Sequence, residues 1–344
     1  MSRSFHRRAA LAAFLAGLAG FVFATAASAD PLEIRIAWTT VPGQLTPVLF
    51  AKTDQLRHEG TSYVVKHFHF AGSGPMVSAL ASGQIDIAQL APSSLGFAVE
   101  NAHINDIRVI TDGYQDGVDG HYSSVFLVRK DSPIATVEDL RGKVVAVNAF
   151  GGALDIAARA MLRSHHLEAN RDYTMVEGAF PNLGSMLVEK KVDLISLVLP
   201  FSEVAEKSGD VRPLFHMKDA LGTTQMLFNV ARASFLAKNR AALADFFEDY
   251  VRAQRWFLDP ANRAQAVRIV ADFNKRPVSV FAPYLFTPED FHRDPNARPN
   301  LSALQRNMEQ LKELGFLKTD IDVKRHADLS FVDGAVKRLD AAKK

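Results

Sequence analysis

The sequence predicts an α/β protein of two lobes, built on mixed, mostly parallel sheets flanked by helices. Three observations lead there. Strand, turn and helix patterns alternate over the first two thirds of the chain. Their order is then repeated, so that Met76–Leu80 ahead of Ile85-Asp86-Ile87 is matched by Leu183–Leu187 ahead of Val192-Asp193-Leu194. About 315 residues follow an N-terminal leader, more than one hydrophobic core usually organises.

The leader comes first. Arg3, Arg7 and Arg8 form a basic start, Ala9 to Ala24 an apolar run, and Ala27-Ser28-Ala29 a small-residue end, the three-part layout of a secretory signal peptide. The run is shorter than the ~20 residues that cross a bilayer, and no second run of that length follows. Residues 1–29 are therefore expected to be removed after Ala29, leaving a periplasmic chain with no direct membrane insertion. The leader carries three arginines and no acid, so 40 basic and 38 acidic residues become 37 and 38. A near-neutral chain gives no electrostatic footprint for nucleic acid. Cysteine is absent, which excludes thiol chemistry, disulfides and cysteine-ligated zinc.

The elements of the first lobe follow in order. Leu32 to Trp38 alternates as a strand, Thr39-Thr40-Val41-Pro42-Gly43 turns, and Leu45 to about His58 reads as a helix. Ser62 to Phe70 is the next strand, and Gly72-Ser73-Gly74-Pro75 opens the helix Met76 to Ser82. Ile85 to Leu90 is a short strand, and Pro92-Ser93-Ser94 opens another helix. The second lobe repeats the scheme. Lys143 to Asn148 is a strand, Phe150-Gly151-Gly152 a loop and Leu154 to His165 a helix. Arg171 to Glu177, Leu183 to Lys190 and Val192 to Leu199 continue as strand, helix and strand, stopped by Pro200. Two crossings, near Tyr122–Val128 and Thr223–Val230, join residues 30–124 and 226–344 as lobe I to residues 125–225 as lobe II. The remainder is helical scaffold: 235–258, 262–273, 301–314 and 331–339, with a proline-rich crossing over 277–300.

Asp86 and Asp193 each stand between a helix and a strand, where a carboxylate closes a turn on nearby amides. His67 and His69 share a strand face without a third ligand, so no metal site is expected. His165-His166 ends a helix, where cations suit the dipole. No Walker loop and no Gly-x-Ser-x-Gly elbow occurs, so neither ATP use nor hydrolase chemistry is expected, nor any cofactor.

Gly72-Ser73-Gly74, followed by Ala79-Leu80, Gly83 and Asp86, resembles the first-lobe signature of substrate-binding proteins of ABC importers for sulfonates, nitrate and taurine. Ser132-Pro133-Ile134, Glu138 to Lys143, Val145-Ala146-Val147 and Lys191-Val192-Asp193 closing on Pro200 fall in that family's order, so the resemblance spans roughly Leu32 to Ala231. It implies a type II periplasmic-binding fold that closes like a hinge on a small organic anion, as a monomer, and hands it to a membrane permease rather than catalysing a reaction. The sulfonate, taurine or nitrate class and aromatic carboxylates are the ligands considered. An exported enzyme without thiol chemistry, or a sensor subunit with a ligand related to thiamine precursors, is the alternative on the same fold.

In such a fold, strand ends and helix N-termini face the cleft and receive anions on free amides. The residues expected there are Trp38, Thr39 and Thr40; Gly72, Ser73 and Gly74; Ser93 and Ser94; His121 and Tyr122; Phe150, Gly151 and Gly152; Phe180, Asn182 and Phe201. The Phe150–Gly152 loop departs from the family, in which serines commonly follow this strand.

Overall fold

A computed structural model describes residues 30–70 and 72–342; the leader and its cleavage point lie outside them. In chain order the strands are β1 (Leu32–Trp38), β2 (Tyr63–His69), β3 (Ile87–Leu90), β4 (Ile107–Asp116), β5 (Val125–Arg129), β6 (Val144–Val147), β7 (Thr174–Glu177), β8 (Leu194–Leu197), β9 (Val211–His216) and β10 (Thr224–Arg232). The helices are α1 (Thr46–Leu49), α2 (Ser73–Ala81), α3 (Pro92–Glu100), α4 (Ala153–Ser164), α5 (Phe180–Val188), α6 (Phe201–Ser208), α7 (Met217–Leu221), α8 (Ala233–Lys238), α9 (Arg240–Leu258), α10 (Arg263–Phe273), α11 (Leu301–Glu313) and α12 (Ser330–Ala341).

The strands form two five-stranded sheets with one plan. Sheet I runs β2-β1-β3-β10-β4 and sheet II runs β7-β6-β8-β5-β9. In each, three strands pair in parallel and the fourth position is taken by an antiparallel strand, β10 in sheet I and β5 in sheet II. The fifth strand pairs antiparallel to that one, so four of five strands in each sheet point the same way. This is the α/β arrangement expected of the sequence.

The internal repeat has a physical basis in the two aspartates. Asp86 accepts from the Arg35 amide at 2.9 Å and gives its own amide to the Arg35 carbonyl. Asp193 does the same with Val144, at 3.0 Å. Neither closes its own turn; each caps the neighbouring strand at the point where parallel pairing starts and so sets the register that follows, Ile36 opposite Ile87 and Val145 opposite Leu194. Asp86 is further held by a bidentate contact from Arg35.

Several elements depart from the pattern read in the sequence: the helix expected at 235–258 is two, α8 and α9, and α6, α7 and β9 were not read. The stretch 45–58 is not one helix: α1 ends at Leu49, and a single 3₁₀ turn follows at Thr53–Gln55. Polar groups of α9 hold that stretch instead, since Arg252 donates to the Gln55 carbonyl and the His58 amide donates to Asp249. β4 carries no alternation because nine of its ten residues are buried. It lies between β10 and the 290–297 segment, whose His292 and Ala297 carbonyls accept from the Gln115 and Asp112 amides.

One apolar core runs through both sheets and the C-terminal helices, with Phe126, Phe228, Phe246, Phe247 and Phe257 fully buried. A smaller cluster of Leu127, Ala146, Leu183, Leu187 and Ile195 sits under α5. No helix among the described residues is long and apolar enough to cross a membrane.

Candidate functional site

α2 begins where β2 ends, and its first turn is open. Gly72 is an extended N-cap with no side-chain cap, and the first turn contains no acid. A Cβ placed on Gly72 or Gly74 would meet nothing within 4 Å among the described residues. Neither the backbone angle of Gly72 nor any neighbour demands glycine there, and the result is unobstructed approach to the helix end, where amides and dipole favour negative charge. Beside it, Gly74 and Val77 of α2 and Ser94, Phe97, Asn101 and Ala102 at α3 line a depression of about 270 Å³. That is close to the lower end of small-molecule sites.

Ser93, one residue earlier on α3, is buried, and its hydroxyl finds no hydrogen-bond partner among the described residues. It faces a narrow crevice of about 20 Å³ shared with Ala153 and Ile156 of α4 and with Met217 and Leu221 of α7. The two sheets' helices therefore meet at α3 and α4. Gly151 marks the contact, because a Cβ on it would stand 3.3 Å from the Phe97 ring. Its φ of +70° is one that glycine adopts freely.

The loop Phe150–Gly152 is electrically unlike the α2 end. The Gly151 amide donates to Asp155 at 2.8 Å, the Phe150 amide donates to Glu177, and the Gly152 amide returns to the Ala149 carbonyl. Asp155 is buried and is also bound by Arg159 Nε at 2.8 Å. Phe150 is 48% exposed.

The other expected residues are engaged elsewhere. The Trp38 ring packs edge-on against His69 and Phe273, toward α10. The Thr39 hydroxyl accepts from Gln44 Nε2 at 2.8 Å, Gln44 Oε1 accepts the Thr39 amide, and the Thr40 carbonyl accepts the Gln44 amide. His121 packs on His292. Tyr122 donates to Ser202 Oγ at 2.7 Å, linking the first crossing to α6, and burial raises its phenol well above the usual range. Phe180 and Phe201 stack on each other at 5.5 Å, while Asn182 is exposed with its amide on the Ala179 carbonyl.

The structure thus gathers Gly72, Ser73, Gly74, Ser93, Ser94, Phe150, Gly151 and Gly152 around the α2, α3 and α4 ends. It sets Trp38, Thr39, Thr40, His121, Tyr122, Phe180 and Phe201 in contacts with other residues around the strand ends and crossings, and leaves Asn182 exposed. Phe97, Asn101, Asp155 and Glu177 were not foreseen. Of these only Asp155 had a visible sign, an acid in the first turn after Gly-Gly. Among the described residues no trio of histidine, aspartate or glutamate side chains is placed to hold a metal.

Two like-ordered α/β sheets whose helix ends converge beside a small depression form a two-sheet architecture that solute-binding proteins share. Comparison with known proteins shows what the chain resembles. The family model described as "ABC transporter, phosphonate, periplasmic substrate-binding protein" matches residues 49–182. An aliphatic sulfonates-binding protein of Escherichia coli (strain K12), so described on provisional grounds, is 25% identical over 306 residues, 86% of this chain and 89% of the relative. Among solved structures, the periplasmic aliphatic sulphonate binding protein SsuA from Escherichia coli superposes with a TM-score of 0.67 at 22% identity, covering 87% of this chain and 98% of that one. The periplasmic nitrate-binding protein NrtA from Synechocystis PCC 6803 gives 0.71 at 13%, covering 90% of each. The desulfurization enzyme DSZB has the same fold, with a TM-score of 0.66 at 14% identity and coverage of 90% and 99%. The chain has the type II fold of these periplasmic binding proteins, and its residues 49–182 match the model of the phosphonate substrate-binding family.

Proposed function

We propose that this chain captures a small organic anion with a largely apolar body between the α2 and α3 ends of sheet I and the Phe150–Gly152 loop of sheet II, and passes it to an ABC permease. In this reading residues 30–124 with 226–344 move as one lobe and residues 125–225 as the other, in the periplasm, as a monomer. The observation that carries it is the open, acid-free first turn of α2 beside the depression lined by Ser94 and Phe97. The amides and hydroxyls of Ser73 and Ser94 suit the anionic group, while Val77, Phe97 and Phe150 offer an apolar wall. Binding of sulfonates and nitrate by related proteins supports the anion class.

Thermal melting of residues 30–344 with sulfonates, taurine, nitrate, aromatic carboxylates and thiamine precursors tests this. A ligand held only by the folded state stabilises it by about 2.7 kcal/mol at a hundredfold excess over Kd. One anion class should raise the melting temperature saturably and be recovered unchanged. Gly74→Asp, whose Cβ has room, should fold yet lose that response. Chemical conversion of the ligand would instead favour an enzyme, as in DSZB, and an undiminished shift in Gly74→Asp would move the site elsewhere.

A further inference from the structure

The first crossing between the sheets, residues 117–124, is seated on the segment 290–292 by a short set of contacts. Gln115, just ahead of it, bridges His292 in antiparallel fashion, its amide donating to the His292 carbonyl at 2.8 Å. The Tyr122 amide donates to the Asp290 carbonyl at 3.1 Å, and the Tyr122 ring meets Phe291 edge-on at 4.9 Å. Beside these contacts the half-buried rings of His121 and His292 meet, 5.0 Å apart and inclined at 69°. His121 turns its Nδ1 to the Asp290 carbonyl at 3.4 Å. The far end of the crossing is fixed without this segment: Asp116 accepts from the hydroxyls of Ser123 and Ser124, and the Ser124 carbonyl accepts the Met217 amide. Tyr122 also reaches sheet II, through Ser202 Oγ.

Two imidazoles so placed tolerate one proton, since a neutral ring can present its π-face or its lone pair to a cationic one; a second proton brings like charges together in a partly desolvated place. The neighbours do not cancel that repulsion. On the segment, the Asp290 carboxylate is taken by Arg293 Nη1 at 2.7 Å and by the Phe286 and Phe291 amides, and Arg293 itself opposes a cationic His292. Asp294 favours one, but its Oδ1 already accepts the Asn296 and Arg298 amides. β4 contributes Asp112, which accepts the Asp294 amide. On the crossing Asp119 is exposed and Asp116 is spent on its serines, while Glu206 of α6 and His216 of β9 act on Tyr122 and Asp116. Burial and the charge of His121 hold the His292 imidazole below its usual range. The seated arrangement thus favours the neutral pair, so its stability is complete above the usual imidazole range and is lost as pH falls through the interval beneath it.

We infer that His121 and His292 make the crossing acid-sensitive: once both rings are protonated they part, and residues 117–122 lift from the 290–292 segment while both sheets stay folded. Because this crossing joins sheet I to sheet II, acid loosens the coupling between them; resting on the two-lobe reading above, a captured ligand is then held less firmly.

Hydrogen exchange of residues 30–344 without ligand tests this at about pH 7.5 and about pH 5, read at the Gln115 and Tyr122 amides and corrected for the pH dependence of intrinsic exchange. In the wild-type chain the protection of both amides should fall roughly tenfold or more between the two conditions, while amides of β6 and β8 keep theirs. His292→Gln and His121→Gln each leave a single imidazole at the contact, and each should remove most of that fall. Equal protection of the wild type at both pH values would overturn the inference, whatever the variants do. So would a fall that persists undiminished in both variants, which would place the titration on Asp116 or Asp112. A matching loss in β6 and β8 would overturn it as well, because it reports general acid unfolding and not release of the crossing. None of these outcomes depends on which ligand binds, so they stand apart from the anion reading, which the melting experiment above decides.

Discussion

Asp112 lies within β4, buried, with one carboxylate oxygen accepting from Gln225 Nε2 at 2.7 Å and the other from the Asp294 amide at 2.9 Å. Burial pushes its pKa up to about 7, against those two hydrogen bonds. A carboxyl that stays protonated longer in the folded state than in the unfolded one makes stability fall as pH rises through the interval between its two pKa values. Asp112 should therefore lower stability progressively from about pH 4 to about pH 7, and Asp112→Asn should flatten that part of the curve relative to the parent chain in urea melts. A difference between the two proteins that is the same at both ends of the interval would refute this. His292, His326 and His67 are pushed the other way by burial, which is why the difference between the two proteins, and not the slope of either, is the quantity to read. Residue types in the sequence pointed to some of this chemistry. Asp86 and Asp193 were legible as amide-binding turn acids, yet their true partners, 51 and 49 residues away, lie in neighbouring strands that no local pattern discloses. Likewise Thr39 looked available to a ligand, and only the fold shows Gln44 already taking its hydroxyl.

Elements with strong periodicity were read closely. The strand expected at 143–148 is β6, the helix at 262–273 is α10, and that at 301–314 is α11. What the pattern could not supply were elements whose stability comes from elsewhere, such as β4, buried on both faces, and the 50–58 stretch held by α9. β4 contains a position that shows how tightly it is set. A Cβ on Gly113 would stand 2.7 Å from Gln89 Nε2 and 2.8 Å from the Leu227 carbonyl oxygen, within the span where β4 and β10 shift register. Backbone cannot yield as a side-chain tip can, so Gly113→Ala should cost about 1–3 kcal/mol in chemical denaturation. Gly96→Ala, which presses only on the Leu317 methyls, should cost less; the reverse order would show that β4 has slack. The helix ends of the candidate site were legible as glycine- and serine-bearing turns. Their opposite charge was not, because it depends on where Asp155 and Glu177 fold back.

At the scale of the molecule, the repeated strand order was visible in the sequence as two similar blocks, and it matches the shared plan of sheets I and II. The strands of sheet II all come from one continuous stretch, 125–216, whereas sheet I waits for β10, at 224–232, to fill the place between β3 and β4. Local contacts form before distant ones. In refolding followed by pulsed hydrogen exchange, amides of β5, β6 and β8 should be protected ahead of those of β4 and β10; simultaneous protection would show that both sheets assemble as one unit. The same arrangement has a meaning for the chain while it is being made. A ribosome that has released everything up to residue 216 has supplied all of sheet II and four strands of sheet I, two of which, β3 and β4, still lack the partner they share. Until β10 emerges, the growing chain carries a gap in a sheet, with unpaired strand edges of the kind that other chains can join.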